Sequence, residues 1–179
     1  MIVLPTEALE EYIENPLVKR LYLTDVGFFP MAKHHARIRK EGIEEYILLY
    51  CVEGCGHIWV KEKEYCLEKN QAFCIPSGQP HRYCACENDP WSVLWVHFKG
   101  TDTAFYPLEE CKVVLPPPAE ENRMLFLFGL LFSALEDDYS LGNFVYISQV
   151  LSLALAELYQ RNYSPSNNGL SILPMLSAI

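Results

Sequence analysis

Six short strand-like segments between residues 46 and 98 constrain the fold more than any other feature of the chain. They are rich in β-branched and aromatic residues, turn residues separate them, and they read YILLYCV, CGHIWVK, EYCLE, QAFCI, HRYCAC and WSVLWVHF. Runs of this length and spacing are typical of a β-sandwich or barrel with short connections. We therefore predict one β unit here, preceded by a short helix at 7–14 and a strand at 20–26. Within this unit, Glu62-Lys63 is predicted to form a hairpin turn, and Asn70 is predicted to tolerate a left-handed conformation in the turn before QAFCI.

Three consecutive prolines at 116–118 mark a change in the pattern. Proline is disfavoured inside both helices and central strands, so this segment predicts a stiff connector. After it, the apolar residues repeat at about every 3.6 positions, which predicts one helix at 119–136 and a second at 143–161. The chain is therefore expected to be mainly β with a C-terminal helical module.

The second predicted helix carries apolar residues at alternating steps of three and four. They are Phe144, Ile147, Leu151, Ala154 and Leu158. This is the spacing of a coiled-coil seam, and it predicts that the helix pairs with its copy in a homodimer. The pattern alone favours equally an alternative in which the stripe packs only on the chain's own barrel.

Charge and cysteine content exclude several classes of protein. The formal net charge of −9 leaves no basic face for a nucleic-acid backbone, so this piece is not expected to bind DNA by itself. No stretch of about 18 uncharged apolar residues is present, and the acidic N-terminus is unlike a signal peptide. Seven cysteines scattered over strand-like segments suit a reducing compartment, so we predict a cytoplasmic protein without disulfides.

The sharpest local motif is PSGQPH at 76–81, a tight turn that delivers His81 to the start of a strand. It resembles the second conserved motif of cupins, in which such a histidine joins two others and a glutamate around a metal. The first cupin motif, His-x-His followed by Glu, is missing. In its place stand the adjacent His34 and His35, which would point to opposite faces of a strand, followed by Glu44 and Glu45. We therefore predict no metal and no other cofactor.

A wider set of motifs is more specific than this turn. EYILLY at 45–50, EGCG at 53–56, the turn at 76–81 and DPWSVLWVHF at 89–98 follow one another in order. In order and spacing they resemble the N-terminal domain of AraC-family transcription regulators over residues 20–162. The resemblance implies a cupin-like (double-stranded β-helix or jelly-roll) barrel followed by two antiparallel helices. It also implies a domain that is not an enzyme, that senses a small-molecule effector and forms a homodimer, and that reaches DNA only through a C-terminal domain absent from this sequence.

The same resemblance suggests where the effector binds. In sugar-responsive members of the family, an arginine, a tyrosine and a tryptophan line the pocket, and these fall on Arg39, Tyr83 and Trp95, with His81 beside them. A guanidinium offers a fork of donors, a phenol both donates and accepts, and an indole covers an apolar face. A sugar is therefore one candidate class, although Val93 replaces a polar histidine of the arabinose-type site, which argues against arabinose itself.

Each of these residues also has a purely structural interpretation. Trp95 is of a type that usually packs in a core, Arg39 lies in a basic stretch, Tyr83 could point its hydroxyl to water, and His81 could simply hold the turn. The Cys84-x-Cys86 pair invites a zinc or thiol-sensor interpretation, but it is too closely spaced for the usual zinc knuckle. The alternatives to a sensor domain are a metal-dependent cupin enzyme acting on a small polar substrate and a stand-alone binding cupin.

The predicted organisation has three parts. Residues 1–116 form the effector-binding barrel with an N-terminal arm, and residues 117–163 form the two-helix dimerisation module. A cluster of Ser, Asn, Pro and Gly at 164–169 opens a third part, 164–179, which we predict to be the start of a linker to the absent DNA-binding domain.

Overall fold

A computed structural model describes residues 1–115 and 121–160 of the chain. The predicted proline connector and the predicted linker at 164–179 lie outside the described residues. The strands are β1 Ile2–Val3, β2 Tyr22–Phe29, β3 Ala36–Arg39, β4 Tyr46–Glu53, β5 Cys55–Val60, β6 Lys63–Glu68, β7 Ala72–Ile75, β8 His81–Ala85, β9 Ser92–Lys99 and β10 Val113–Val114. The helices are α1 Thr6–Tyr12, α2 Glu121–Asp137 and α3 Leu141–Tyr159, and two 3-10 turns cover Thr101–Phe105 and Leu108–Glu110.

The strands form two antiparallel sheets. The six-stranded sheet has the order β1-β2-β9-β4-β7-β10, and the four-stranded sheet has the order β3-β8-β5-β6. Strands distant in sequence are neighbours in both sheets, as in a jelly roll, and α2 and α3 follow the barrel as an antiparallel pair joined by residues 138–140. The predicted architecture, a cupin-like barrel followed by two antiparallel helices, is confirmed.

Turn geometry follows the residue types closely. Val60 pairs with Lys63, so the two-residue turn between β5 and β6 is Lys61-Glu62, with φ of 50° and 62°. The predicted turn at 62–63 was therefore wrong by one residue. Asn70 has φ of 61°, the left-handed conformation that its short polar side chain tolerates, as we predicted for this position.

Strand β3 is the main element that the sequence pattern missed. Its residues, ARIR, look like a solvated basic stretch, yet they pair along their whole length with β8, and Arg39 pairs with His81. Three of the four are exposed because β3 lies at the edge of the four-stranded sheet. An edge strand tolerates charged residues, so it lacks the alternating pattern that reveals a half-buried strand.

The six-stranded sheet separates two hydrophobic clusters. Successive residues of β4 alternate between them: Leu48 and Tyr50 join the cluster beneath the helices, whereas Ile47, Leu49 and Cys51 join the cluster between the two sheets. We call these the helix-side cluster and the barrel cluster. Both faces of this sheet are covered, so its central strands read as continuous apolar runs.

The apolar stripe of α3 belongs to the helix-side cluster. All five of its side chains are almost fully buried. Their exposed fractions are Phe144 3%, Ile147 2%, Leu151 0%, Ala154 2% and Leu158 3%. Side chains buried in their own chain are not available to a second copy, so the predicted interface is corrected for these five residues. These five side chains instead follow the alternative prediction, in which the stripe of α3 packs on the chain's own barrel.

The opposite side of α3 is exposed. Tyr146 is 44% exposed and Leu153 41%, and Gln149 and Ala156 lie on the same side at steps of three and four. We call these four residues the outer stripe. Among the described helices, α3 has the length and hydropathy of a membrane span, but half of the relevant window is buried in the protein, as in a core helix.

Candidate ligand-binding site

The last long strand delivers two tryptophans into the barrel. Trp91, just before β9, and Val93 and Trp95 within it belong to the barrel cluster, whereas Leu94 and Val96 face the helices. Residues of this strand therefore alternate between the barrel interior and the helices, as the pleat of a β-strand requires. Trp95 is 7% exposed and Trp91 fully buried.

Both indoles lie against glycines of neighbouring strands. A Cβ added to Gly27 of β2 would overlap the indole of Trp95, and one added to Gly56 of β5 would overlap that of Trp91. Neither glycine needs a left-handed conformation, since the close approach of the ring is what excludes a side chain. These two positions fix where the indoles lie.

Aromatic and imidazole rings connect the two sheets across the interior. Phe29 of β2 lies 5.8 Å from Trp95 and 4.5 Å from His35, measured between ring centroids. His35 lies 5.4 Å from Tyr83 of β8, and Tyr83 stacks on His81 at 6.1 Å. The rings therefore form one lining, in which the predicted residues Tyr83 and Trp95 belong to opposite sheets.

Hydrogen bonds fix the protonation of His81. Its Nε2 lies 3.3 Å from Nη1 of Arg39 and its Nδ1 2.7 Å from the carbonyl oxygen of Gln79. A guanidinium only donates, so Nε2 accepts and Nδ1 carries the proton that is donated to Gln79. Burial lowers the pKa of His81, the bond to Gln79 opposes this, and the charge of Arg39 lowers it further. His81 is thus a neutral acceptor that orients Arg39.

Arg39 is the cation of the site. Its charge also adds to burial in lowering the pKa of His35, which falls to about 4, with Arg37 contributing as well. At His97, burial lowers the pKa, Asp25 at 3.5 Å raises it, and Arg39 lowers it again. The charge of one guanidinium therefore contributes to lowering the pKa of three imidazoles, which are neutral at pH 7.

Three buried ring nitrogens in this lining make no hydrogen bond with the described protein atoms: Nε1 of Trp91, Nε1 of Trp95 and Nδ1 of His35. A buried polar group without a partner destabilises a protein by about 1–3 kcal/mol. Such groups are uncommon in protein cores, so three of them in one lining call for a physical explanation, of which a bound partner is one. Both indole nitrogens are donors only, so a partner for them must offer acceptors.

The structure thus places the predicted site residues around one interior. Arg39 and His81 are paired in register on β3 and β8, Tyr83 follows His81, and Trp95 lies across the interior. Sequence reasoning missed Phe29 and did not place His35 in the lining. His97 shares a face of β9 with Trp95, as strand parity predicts, and the two rings lie 5.1 Å apart.

One prediction about the cysteines was wrong. Cys55 and Cys86 form a disulfide, with Cα atoms 5.5 Å apart, although they are separated by 31 residues in the sequence. Cys55 opens β5 and Cys86 follows β8, and these strands are neighbours in which Gly56 pairs with Ala85. Strand order, which single-sequence patterns do not reveal, brings the two together. Cys86 is therefore not available as a zinc ligand beside Cys84.

Within residues 1–115 and 121–160, no group of three or more His, Cys, Asp or Glu side chains is arranged to hold a metal ion. His35, His81 and His97 all face the interior, but each is engaged separately, with aromatic rings, with Arg39 and Gln79, and with Asp25 respectively.

Comparison with known proteins gives the family. The MmsAB operon regulatory protein of Pseudomonas aeruginosa is 34% identical over 101 residues, a match that covers 54% of this chain and 33% of that protein, so the chain accounts for about a third of this relative's length. The apo structure of a ToxT variant from Vibrio cholerae shares the fold, with a TM-score of 0.53 and 10% identity over 78% of this chain and 56% of that one. The profile of the AraC-like ligand binding domain matches residues 26–154, and the chain belongs to this family.

Proposed function

We propose that this chain is the effector-sensing domain of an AraC-type transcription regulator and that a small molecule binds inside the barrel, against Trp95. The observation that carries the proposal is the set of three unpartnered buried nitrogens in the aromatic lining of the barrel. A ligand with oxygen acceptors would pair the indole donors while its apolar part covers the rings. A sugar or sugar derivative meets this description, and so do other small oxygen-bearing compounds.

Sensing requires that the ligand stabilise one arrangement of the protein over another. In our proposal the ligand binds more tightly to one of two arrangements of barrel and helices. The activity of the DNA-binding domain then depends on which arrangement is populated. Binding to DNA belongs to that further domain, since the present chain carries a net charge of −9. Such a regulator would act in the cytoplasm and would not be an enzyme.

The test is a thermal-shift screen of the purified chain against sugars, sugar acids and other small carboxylic acids, followed by titration calorimetry of compounds that raise the melting temperature. Trp95→Phe keeps a ring but removes the Nε1 donor, and it should weaken binding about tenfold. Tyr139→Phe is the matched control, since it removes one polar group from an aromatic that is 39% exposed outside the barrel. Equal weakening in both variants would contradict binding at Trp95.

Dimerisation is part of the proposal, but through different residues from those predicted. The outer stripe of α3 has the required spacing and is exposed, so we assign the contact with a second copy to Tyr146, Leu153 and Ala156. Leu153→Glu should give a folded monomer in light scattering. Leu141→Glu, at a residue of the same helix that is 38% exposed and off the stripe, should leave the dimer intact. A dimer that persists in Leu153→Glu would refute this interface.

The alternative, a metal-dependent cupin enzyme, would need the three interior histidines to converge on one metal ion, and the described residues do not show that arrangement. It requires about one tightly bound transition metal per chain, which elemental analysis of protein purified without chelators would measure. Loss of that metal in His81→Gln would favour the enzyme over the sensor.

A further inference from the structure

An open groove lies at the end of the four-stranded sheet where Arg39 and His81 meet. It has a volume of about 410 Å3, and its walls come from the end of β3, the start of β8 and the turn between β5 and β6. We call it the rim groove. His81 lines it and also stacks on Tyr83 of the barrel cluster, so the rim groove borders the aromatic lining of the interior.

The rim groove is rich in cations on a chain that is otherwise acidic. Its charged lining residues are Arg39, Lys40, Lys61, Arg82 and one carboxylate, Glu62. Lys61 is partly engaged, since its Nζ lies 3.1 Å from the backbone oxygen and 3.6 Å from a carboxylate oxygen of Glu109. Arg82 lies over the ring of Trp59 at 4.0 Å, a contact that leaves its charge unneutralised.

The carboxylates nearest the interior do not neutralise Arg39. Asp25 pairs with His97 at 3.5 Å and accepts from the hydroxyl of Thr24, and Glu45 pairs with Lys99 at 3.3 Å. Among the described residues, no ion pair includes Arg39 or Lys40. The partner that the structure gives Arg39 is neutral: Nε2 of His81, which contacts one of the guanidinium nitrogens.

We propose, on the basis of the function proposed above, that the effector is a small organic anion whose carboxylate binds Arg39 at the rim groove and whose apolar body lies against Phe29 and Trp95. A guanidinium with one nitrogen held by His81 keeps further N–H donors in the planar arrangement that matches a carboxylate. Lys40 and Arg82 raise the local concentration of anions. A neutral sugar would pair the indole donors but leave the charge of Arg39 uncompensated.

The experiment compares pairs of probes that differ only at the acid group: benzoate with benzyl alcohol, isobutyrate with isobutanol, and galacturonate with galactose. Binding of each is measured by calorimetry to the wild-type chain, to Arg39→Gln and to Lys69→Gln. Lys69 is exposed in the turn after β6, so its substitution removes the same charge away from the groove. Trp95→Phe reports whether a bound probe reaches the barrel interior.

We expect at least one carboxylate to bind more tightly than its neutral counterpart and to lose about ten- to a hundredfold in affinity in Arg39→Gln, but not in Lys69→Gln. Neutral members that bind as tightly as their acids, and equally well in Arg39→Gln, would overturn the anion proposal while leaving the sensor function standing. Binding insensitive to Trp95→Phe, or no binding by any of the six probes, would count against the sensor function itself.

Discussion

The two hydrophobic clusters on either side of the six-stranded sheet are built differently. The helix-side cluster joins α2 and α3 to the outer face of the sheet, and its aromatic contacts, such as Tyr50 with Phe128 at 6.4 Å, lie among aliphatic side chains. The barrel cluster is smaller and contains both buried tryptophans. Rings of three histidines contact its aromatic residues, and three buried ring nitrogens of this lining lack hydrogen-bond partners.

The difference separates stability from function. A cluster optimised only for packing buries apolar atoms and pairs most of its polar ones. Beside the helix-side cluster, Ser148 donates to the backbone oxygen of Leu17 at 2.9 Å, and one carboxylate oxygen of Glu157 lacks a partner, against three ring nitrogens in the barrel lining. The barrel cluster leaves polar atoms unpaired, which destabilises the free protein and favours a ligand that pairs them. Substitutions on the two sides should therefore have different consequences.

The largest expected effect is on stability, in the helix-side cluster. Leu151→Ala should lower the free energy of unfolding by about 2–5 kcal/mol, because Leu151 is fully buried and the cavity left behind would not refill. Leu153→Ala, two residues along and 41% exposed, should change it by less than about 0.5 kcal/mol. Urea denaturation measures both, and equal values would show that α3 does not pack as described.

A smaller effect is expected where the indole of Trp95 lies over a glycine. Gly27→Ala should destabilise the protein by about 1–3 kcal/mol and displace Trp95, because the added methyl group overlaps the ring. The near-ultraviolet circular dichroism of the tryptophans should change with it. Gly129→Ala in α2 meets no atom within 4 Å and should instead stabilise the helix by about 0.5–1 kcal/mol. A neutral Gly27→Ala would mean that the position of Trp95 is not fixed by this contact.

The smallest expected effect is the pH dependence due to His35. Its pKa in the folded protein, about 4, lies below the ordinary value of 6.5, so the unfolded chain binds the proton more readily between these values. Stability from this group is therefore complete above pH 6.5 and is lost as the pH falls towards 4. The shift corresponds to about 3–4 kcal/mol at most, and partial exposure reduces the expected loss to about 1–2 kcal/mol.

Chemical denaturation at pH 7.5 and pH 4.5 measures this loss. His35→Gln should reduce the difference between the two pH values, whereas His34→Gln, at the exposed neighbouring histidine, should preserve it. An unchanged difference in His35→Gln would assign the pH dependence to other groups.

Local patterns sufficed for most of the fold. The six strand runs, the change of period before α2 and the left-handed Asn70 are all determined by neighbouring residues, and the structure confirms them. Features that depend on strand order were beyond such patterns, which is why the Cys55–Cys86 disulfide and the pairing of β3 were missed. The stripe of α3 shows a third limit: its spacing identifies a buried face but not whether the partner is the same chain or another.

The position of Arg39 on β3 has a kinetic consequence. Four residue pairs with β8 hold this strand, and no other strand within residues 1–115 and 121–160 pairs with it, so among the strands of its sheet it should open readily. A carboxylate bound by Arg39 would tie the strand to the interior and slow that opening. The residence time of the ligand and the hydrogen-exchange rate of the amides in β3 would then report the same molecular event.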